Sequence, residues 1–175
     1  PAIILEDADV EVVAAELCGI AFENAGQNCA QPSRLYVQER VHDRFVAAFI
    51  AAAEAIKVGD PAGHDTVMGP VVSKEQRDRI EGYIASAIEE GATLATGGRR
   101  PTQPPLDRGF YVMPTVFTDV TQSMTIAREE VFGPVVGIHR FSSDEEVLQA
   151  ANDTVFGLCA SVWTKDYARA LRLVN

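Results

Sequence analysis

The sequence predicts an α/β protein: a parallel open sheet with helices on both faces. Short apolar runs that predict strands alternate along the chain with segments whose apolar residues recur every three or four positions. The predicted strands are apolar through much of their length, which is typical of parallel strands buried on both faces. The 175 residues suit a single domain, since we find no internal repeat and no linker long enough to divide them.

The first half of the chain predicts two strand–helix pairs. Residues 2–5 (AIIL) predict a buried strand, and the helix that follows can be capped by Asp7 or Asp9 and stopped at Gly26. Its apolar face comprises Val10, Val13, Ala14, Leu17 and Ala21, and Cys18 beside it is expected in the core. Residues 34–38 (RLYVQ) predict the second strand, and residues 41–56 the second helix.

The second half begins with a Gly- and Pro-rich loop, residues 57–70. Ser73 and Gln76 then form a capping box, which opens a helix that extends to about residue 90. Its inward positions are Ile80, Ile84, Ala87 and Ile88. A strand at 92–96, an exposed Pro-rich loop at 99–109 and an extended segment at 110–120 follow.

The last quarter repeats the alternation. A turn at Gly133-Pro134 precedes a strand that extends to residue 141, and a second capping box, Ser143 with Glu146, opens a helix to about residue 151. Residues 158–163 (LCASVW) predict another buried strand, with Cys159 in the core, and residues 165–175 predict a final helix.

Composition excludes several classes of function. The net charge of −10 and the pI near 4.7 argue against nucleic-acid binding, which depends on Lys and Arg neutralising phosphates. We find no apolar run of the roughly 20 residues that cross a bilayer and no basic amphipathic face, so we expect no membrane partner. Three widely spaced cysteines predict neither a disulfide framework nor a metal site, and they fit reduced thiols in a cytoplasmic protein.

Cys29 is the residue that points to chemistry. It lies just past a predicted helix end, in the polar run GQNCAQPS, where a cysteine is placed for reaction rather than packing. Backbone N–H groups in such a turn can stabilise an oxyanion when the thiol attacks a carbonyl group. The local sequence has no histidine beside it, so it does not support a Cys–His pair, and an unremarkable exposed thiol stays an open alternative.

Four segments resemble the NAD(P)-dependent aldehyde dehydrogenase superfamily. The segment around the cysteine, FENAGQNCAQPSRLYVQ, is similar to the family's nucleophile segment, and EEVFGPVV to its Glu-Glu-hydrophobe-Phe-Gly-Pro-Val motif. AIILEDADVEVVAAEL and ANDTVFGLCASVWTKD agree in order and spacing. Gln31-Pro32 departs from the smaller, Gly-containing pair of many relatives, so the turn after Cys29 is expected to be stiffer.

The resemblance implies a reaction and a set of site residues. The Cys29 thiolate would attack a small-molecule aldehyde, hydride would pass to NAD or NADP, and water would hydrolyse the thioester to a carboxylic acid. Glu130 would bind the ribose hydroxyls and Phe132 would pack near the nicotinamide, while the neighbouring Glu129 would be structural. Two further positions matched by resemblance, Gln76 and Arg79, would reach the cofactor ribose. Asn28 and Ala30 flank Cys29 and could line the aldehyde pocket. Neither the aldehyde nor the choice between NAD and NADP follows from the sequence.

The resemblance also implies what lies elsewhere. Residues 1–175 would be a single catalytic, nucleophile-bearing domain. The cofactor-binding domain and the general-base glutamate are expected upstream of Pro1, and the oligomerisation segment beyond Asn175. We therefore expect the isolated 175 residues to lack NAD-dependent turnover and the parent protein to be a homo-oligomer.

Two other functions remain open. The same thiol could serve a thiol esterase, an acyl-transfer enzyme or an acyl-phosphate-reducing relative. Alternatively, the chain could be a non-catalytic scaffold domain of the same fold. Chemical reactivity of Cys29 that differs from that of Cys18 and Cys159 distinguishes the catalytic hypotheses from the scaffold.

Overall fold

A computed structural model describes residues 1–174 of the protein, and a six-stranded sheet forms its centre. The strands are β1 (Ala2–Ile4), β2 (Arg34–Gln38), β3 (Thr93–Thr96), β4 (Thr115–Thr118), β5 (Val135–Phe141) and β6 (Ser161–Trp163). Their order across the sheet is β3-β4-β5-β2-β1-β6. The α/β fold class is confirmed.

One edge of the sheet differs from the all-parallel prediction. Strand β3 pairs antiparallel with β4, whereas the other four pairings are parallel. Parallel neighbours need a long crossover, usually helical, but antiparallel neighbours do not. Between β3 and β4 the chain has only a 3₁₀ turn, Leu106–Arg108, so this connection contains no α-helix.

Helices cover both faces of the sheet, as predicted. They are α1 (Val10–Phe22), α2 (Glu39–Glu54), α3 (Lys74–Glu89), α4 (Thr125–Arg128), α5 (Asp144–Asn152) and α6 (Tyr167–Val174). Successive residues of a strand point to opposite faces. Accordingly Ile4 packs in one apolar cluster with α1, α2 and α3, while Ile3 packs in the other with α5 and α6. The predicted final helix extends to Asn175, which lies outside the described residues.

Both predicted serine caps are present. Ser73 Oγ accepts a hydrogen bond from the N–H of Gln76, and Ser143 Oγ accepts one from the N–H of Glu146, each at 3.2 Å. The predicted aspartate cap of α1 is wrong. Asp9 occupies the cap position without a side-chain bond, and the Asp7 carboxylate instead accepts from Thr164 Oγ1 and the Lys165 N–H, each at 2.8 Å.

Several predicted boundaries and core positions are also wrong. Helix α1 ends at Phe22 rather than near Gly26, because Asn24 and Ala25 have left-handed backbone angles in a 3₁₀ turn. Strand β6 begins only at Ser161, and Cys159 is exposed on a surface segment instead of buried in the core. Ile88 near the end of α3 is 50% exposed. Within residues 1–174, none of the helices combines the length and the apolarity that crossing a membrane requires.

Candidate active site

The turn that carries Cys29 connects the end of α1 to β2. Asn28 accepts two hydrogen bonds that hold this turn. Its side-chain Oδ1 accepts from the Ala30 N–H at 3.0 Å, and its backbone oxygen accepts from the Gln31 N–H at 3.0 Å. The Cys29 thiol is exposed, and its backbone N–H donates to no acceptor within residues 1–174. The turn therefore presents a thiol together with an unused donor from the same residue.

The three cysteines have different environments. Cys18 lies on the buried face of α1, as predicted, and burial raises the pKa of its thiol to about 11. Cys29 and Cys159 are both exposed and free. Cys159 Sγ lies 3.8 Å from the carbonyl oxygen of Ala30, so a second thiol sits beside the Cys29 turn. The sequence did not predict this neighbour, because Cys159 was expected in the core.

The second part of the site is the loop from Glu129 to Pro134, between α4 and β5. Phe132 has a φ of 52°, a left-handed angle that is strained for a bulky side chain. Strain of this kind costs on the order of 1–3 kcal/mol and clusters at functional sites. The Glu130 side chain is exposed and accepts no hydrogen bond from residues 1–174. The loop thus offers an unpartnered carboxylate next to a half-buried aromatic ring.

Helix α3 holds this loop from one side. Gln76 Nε2 donates to the carbonyl oxygen of Phe132 at 2.8 Å, and Arg79 Nη2 donates to that of Glu130 at 2.9 Å. Tyr83, one helical turn further along, donates its hydroxyl to Glu129 Oε2 at 2.7 Å. The structural role expected for Glu129 agrees with this bond. Gln76 and Arg79 support the backbone of the loop that carries Glu130 and Phe132.

The Cys29 turn and the 129–134 loop touch each other at two glycines. A Cβ atom on Gly26, whose φ is +68°, would lie 2.1 Å from the carbonyl oxygen of Gly133. Gln31 adds a direct bond, because its Nε2 donates to that same oxygen at 3.0 Å. Sequence reasoning missed this bridge. The sequence feature that could have indicated it is Gln31 itself, since an amide side chain stands where many relatives have a small residue.

Gln27 ties the same turn to the segment before α3. Its Oε1 accepts from the Val72 N–H at 2.9 Å, and its Nε2 donates to the carbonyl oxygen of Asn24 at 3.0 Å. The segment before α3 therefore contacts the turn, while α3 itself holds the 129–134 loop. These contacts place Cys29 and the loop in one connected region.

A polar cluster elsewhere on the sheet is structural. Tyr36 stacks on His139 with ring centroids 4.7 Å apart, and burial, with the Arg34 charge adding, lowers the pKa of His139 to about 4. Arg34 donates to the Tyr36 hydroxyl at 3.1 Å and to the Ala151 carbonyl oxygen at 3.3 Å, so both bonds serve to hold the fold. Within the described residues 1–174, we find no group of three or more His, Cys, Asp or Glu side chains that could hold a metal ion.

The fold and the site together define an α/β protein that presents a cysteine thiol beside a glutamate- and phenylalanine-bearing loop. The model of the aldehyde dehydrogenase family matches residues 1–175. The chain belongs to the aldehyde dehydrogenase family, a family of oxidoreductases.

Curated relatives give a finer comparison. The chain is 44% identical over 173 residues to betaine aldehyde dehydrogenase of Bacillus subtilis, covering 99% of this chain and 35% of that protein. It is 45% identical over 175 residues to betaine aldehyde dehydrogenase of Mesorhizobium japonicum, covering 99% and 36%. The chain thus spans about a third of the length of these relatives.

Solved structures agree with the sequence comparison. Betaine aldehyde dehydrogenase of Staphylococcus aureus in complex with NAD+ matches with a TM-score of 0.97 and 43% identity, covering 100% of this chain and 35% of that one. Mycobacterium tuberculosis aldehyde dehydrogenase complexed with NAD+ matches with a TM-score of 0.94 and 43% identity, covering 99% and 35%.

Proposed function

We propose that this chain is the nucleophile-bearing domain of an aldehyde dehydrogenase, which oxidises an aldehyde to a carboxylic acid through Cys29. The observation that carries the proposal is the contact between two segments: the turn with the exposed Cys29 thiol and the loop with the unpartnered Glu130 carboxylate. Because the chain spans about a third of its relatives' length, the remaining machinery, including a cofactor-binding domain, would lie elsewhere in the protein.

The first step belongs to Cys29. Its thiolate attacks the carbonyl carbon of the aldehyde and forms a C–S bond, and the carbonyl oxygen takes up the negative charge. The Cys29 N–H, which is without an acceptor in residues 1–174, can donate to that oxygen and stabilise the thiohemiacetal. Asn28 and Ala30 flank the thiol and would line the aldehyde pocket.

NAD(P)+, when bound, accepts the hydride that leaves the thiohemiacetal carbon. An exposed carboxylate with no competing donor fits this group, because both oxygens of Glu130 can accept from ribose hydroxyls. The Phe132 ring would pack against the nicotinamide, and Gln76 and Arg79 would keep both residues in place. Since two solved relatives hold NAD+, we propose NAD+ rather than NADP+.

Loss of the hydride leaves a thioester on Cys29. Water adds to the thioester carbon and displaces the Cys29 thiolate, which releases the carboxylic acid. This step needs a general base to take a proton from water, and we expect that base upstream of Pro1. The relatives' names make betaine aldehyde the first substrate to test.

The test is NADH formation by the full-length protein supplied with betaine aldehyde and a panel of other aldehydes. Replacing the nucleophile by Cys29→Ser should lower the turnover number by about 10⁴-fold or more. Cys159→Ala is the matched control, since it removes the other exposed thiol and should leave turnover within about twofold of the wild type. NADH formation that survives Cys29→Ser would rule out the assigned nucleophile.

The same preparations separate the alternatives. A wild type that hydrolyses p-nitrophenyl acetate but forms no NADH would favour the thiol esterase. A wild type that does neither, and whose Cys29 is unreactive, would favour the scaffold domain.

A further inference from the structure

The Gln31 carboxamide bridges two separate elements with its two N–H groups. Its Nε2 donates to the carbonyl oxygen of Ala21 at 2.9 Å and to that of Gly133 at 3.0 Å. Ala21 lies in the last turn of α1, where carbonyl groups lack partners within the helix. Gly133 lies in the loop that carries Glu130 and Phe132. One half-buried side chain thus links the end of α1 to this loop.

The backbone around the bridge is shaped to admit it. A Cβ atom on Gly26 would lie 2.8 Å from Gln31 Nε2 as well as 2.1 Å from the Gly133 oxygen, so only glycine leaves room there. The φ of +68° at Gly26 is also an angle that glycine adopts without strain. The close approach of the two segments therefore depends on a glycine and an amide together.

Gln31 is also part of the Cys29 turn. Its backbone N–H donates to the Asn28 carbonyl oxygen at 3.0 Å, and its own carbonyl oxygen accepts from the Ser33 N–H at 2.9 Å. Cys29 lies between Asn28 and Gln31, so a shift of the Gln31 side chain moves the turn that holds the thiol. The bridge therefore links the turn that carries the sulfur to the loop through one side chain and one hydrogen bond.

We infer that Gln31 is a positioning residue, which fixes the Cys29 turn against the 129–134 loop so that the thiohemiacetal carbon faces the nicotinamide. This inference rests on the proposed function. Hydride transfer depends on the distance between a group held by Cys29 and a group held by Glu130 and Phe132. Attack by Cys29 alone does not depend on that distance. Gln31 should therefore affect oxidation more than it affects the nucleophile.

Two substitutions of similar shape test the bridge. Gln31→Met keeps the length of the side chain but donates no hydrogen bond, and Gln31→Glu places a carboxylate against two carbonyl oxygens. Gln149→Met on the exposed face of α5 is the matched control. Gln31→Asn keeps an amide that is too short to reach both carbonyl oxygens. This variant also breaks the bridge, and it replaces Gln31→Met if that variant fails to fold.

The measurement compares two reactions of the full-length protein. NADH formation from an aldehyde needs both segments, whereas hydrolysis of p-nitrophenyl acetate uses Cys29 and the general base but involves no hydride transfer to a cofactor at the 129–134 loop. Misplacing reacting groups by about 1 Å can cost as much as about 100-fold in rate, so we expect Gln31→Met to lower the turnover number for oxidation by about 10-fold or more. Ester hydrolysis should stay within about twofold, and a deuterated aldehyde should give a larger isotope effect than with the wild type.

Gln31→Glu should lower oxidation further, and Gln149→Met should change neither reaction. An equal loss of both reactions in Gln31→Met would overturn the inference, because Gln31 would then shape only the nucleophile turn. Full retention of both reactions would overturn it too. A wild type that forms no NADH from any aldehyde is a different result: it overturns the proposed function before any Gln31 variant is compared.

Discussion

A methyl group on Gly26 would lie 2.1 Å from the carbonyl oxygen of Gly133. The two residues are far apart in sequence, and they bring the Cys29 turn and the Glu130 loop into direct backbone contact. Gly26 also needs its φ of +68°, which a side chain disfavours. The contact between the two segments thus depends on the absence of a Cβ atom at residue 26.

Gly26→Ala should lower the free energy of unfolding by about 3 kcal/mol, from the left-handed backbone angle and the clash with Gly133 together. Denaturation by urea measures the change. Gly82→Ala is the matched control, because Gly82 lies inside α3 with nothing within 4 Å of the added atom. Alanine there should stabilise the helix by about 0.5–1 kcal/mol. Equal stability of Gly26→Ala and the wild type would mean that the two segments do not touch.

Alkylation by iodoacetamide should distinguish the three cysteines. Burial raises the pKa of Cys18 from 9.0 to about 11, which reduces its thiolate fraction near neutral pH by about 100-fold and also blocks access. Cys29 and Cys159 are exposed and should react faster. Peptide mass spectrometry gives the rate at each cysteine separately. The reaction is followed across pH 6–9, which includes the pKa of an ordinary thiol, about 8.5.

Cys29 reacting faster than Cys159 would indicate that the turn activates its thiol. Equal rates for these two would mean that activation depends on parts of the protein outside residues 1–174. Rapid labelling of Cys18 in the folded protein would contradict its burial on the core-facing side of α1.

The buried His139 should make stability depend on pH. Its pKa is about 4 in the folded protein, whereas an ordinary histidine has a pKa of 6.5. Between these two pH values, the unfolded chain therefore binds more protons than the folded chain. The stability that neutral His139 contributes is therefore fully present above about pH 6.5 and is lost as the pH falls towards 4, by on the order of 3 kcal/mol in total. Chemical denaturation at several pH values measures this slope.

His139→Leu should flatten the slope between pH 4 and 6.5, because leucine carries no proton and leaves no unpartnered Nε2 in the described structure. His64→Gln on the exposed 57–70 loop should leave the slope as it is in the wild type. A His139→Leu variant with the wild-type slope would assign the pH dependence to other groups.

If the proposed function is right, Gln76→Leu should raise the KM of the full-length protein for NAD+ by about 10-fold, since the loss of the 2.8 Å bond releases the Phe132 backbone. The cap of α3 should survive, because Ser73 Oγ accepts from the backbone N–H of Gln76 and not from its side chain. Ester hydrolysis by Cys29 should remain within about twofold.

A double-mutant cycle with Glu130→Gln tests the route of this effect. If Gln76 acts by holding the loop, its effect should shrink once the proposed contact of Glu130 with the ribose is removed. Fully additive effects would indicate instead that Gln76 contacts the cofactor by itself.

Local signals predicted much of the fold. Ser73 and Ser143 each cap a helix through a bond between residues three apart, so a short stretch of sequence contains the whole interaction. Asp7 failed as a cap prediction because its partners, Thr164 and Lys165, come from the other end of the described chain. The apolar run around Cys159 predicted a buried strand, but only its last three residues find a partner in β1.

In the candidate site, some residues could be found from the sequence and others only from the structure. Cys29 and Glu130 lie in recognisable motifs, and the resemblance identified them without any tertiary information. Gln31 and Gln76 act through hydrogen bonds to backbone atoms more than 50 residues away, and no motif records a carbonyl group. The sequence therefore indicated the candidate nucleophile and the candidate cofactor-binding carboxylate, whereas the structure was needed to find the hydrogen bonds that hold their segments together.

Strand β1 has a consequence for the order in which the protein assembles. Residues 2–4 lie between β2 and β6, and they pair with residues 161–163 on one side. The β6 edge of the sheet forms only once residues 161–163 can pair with residues 2–4, and long-range closure of this kind slows folding. Until β6 pairs, β1 is an edge strand whose unpaired backbone groups can pair with another chain, so the partly folded protein is exposed to aggregation at this edge.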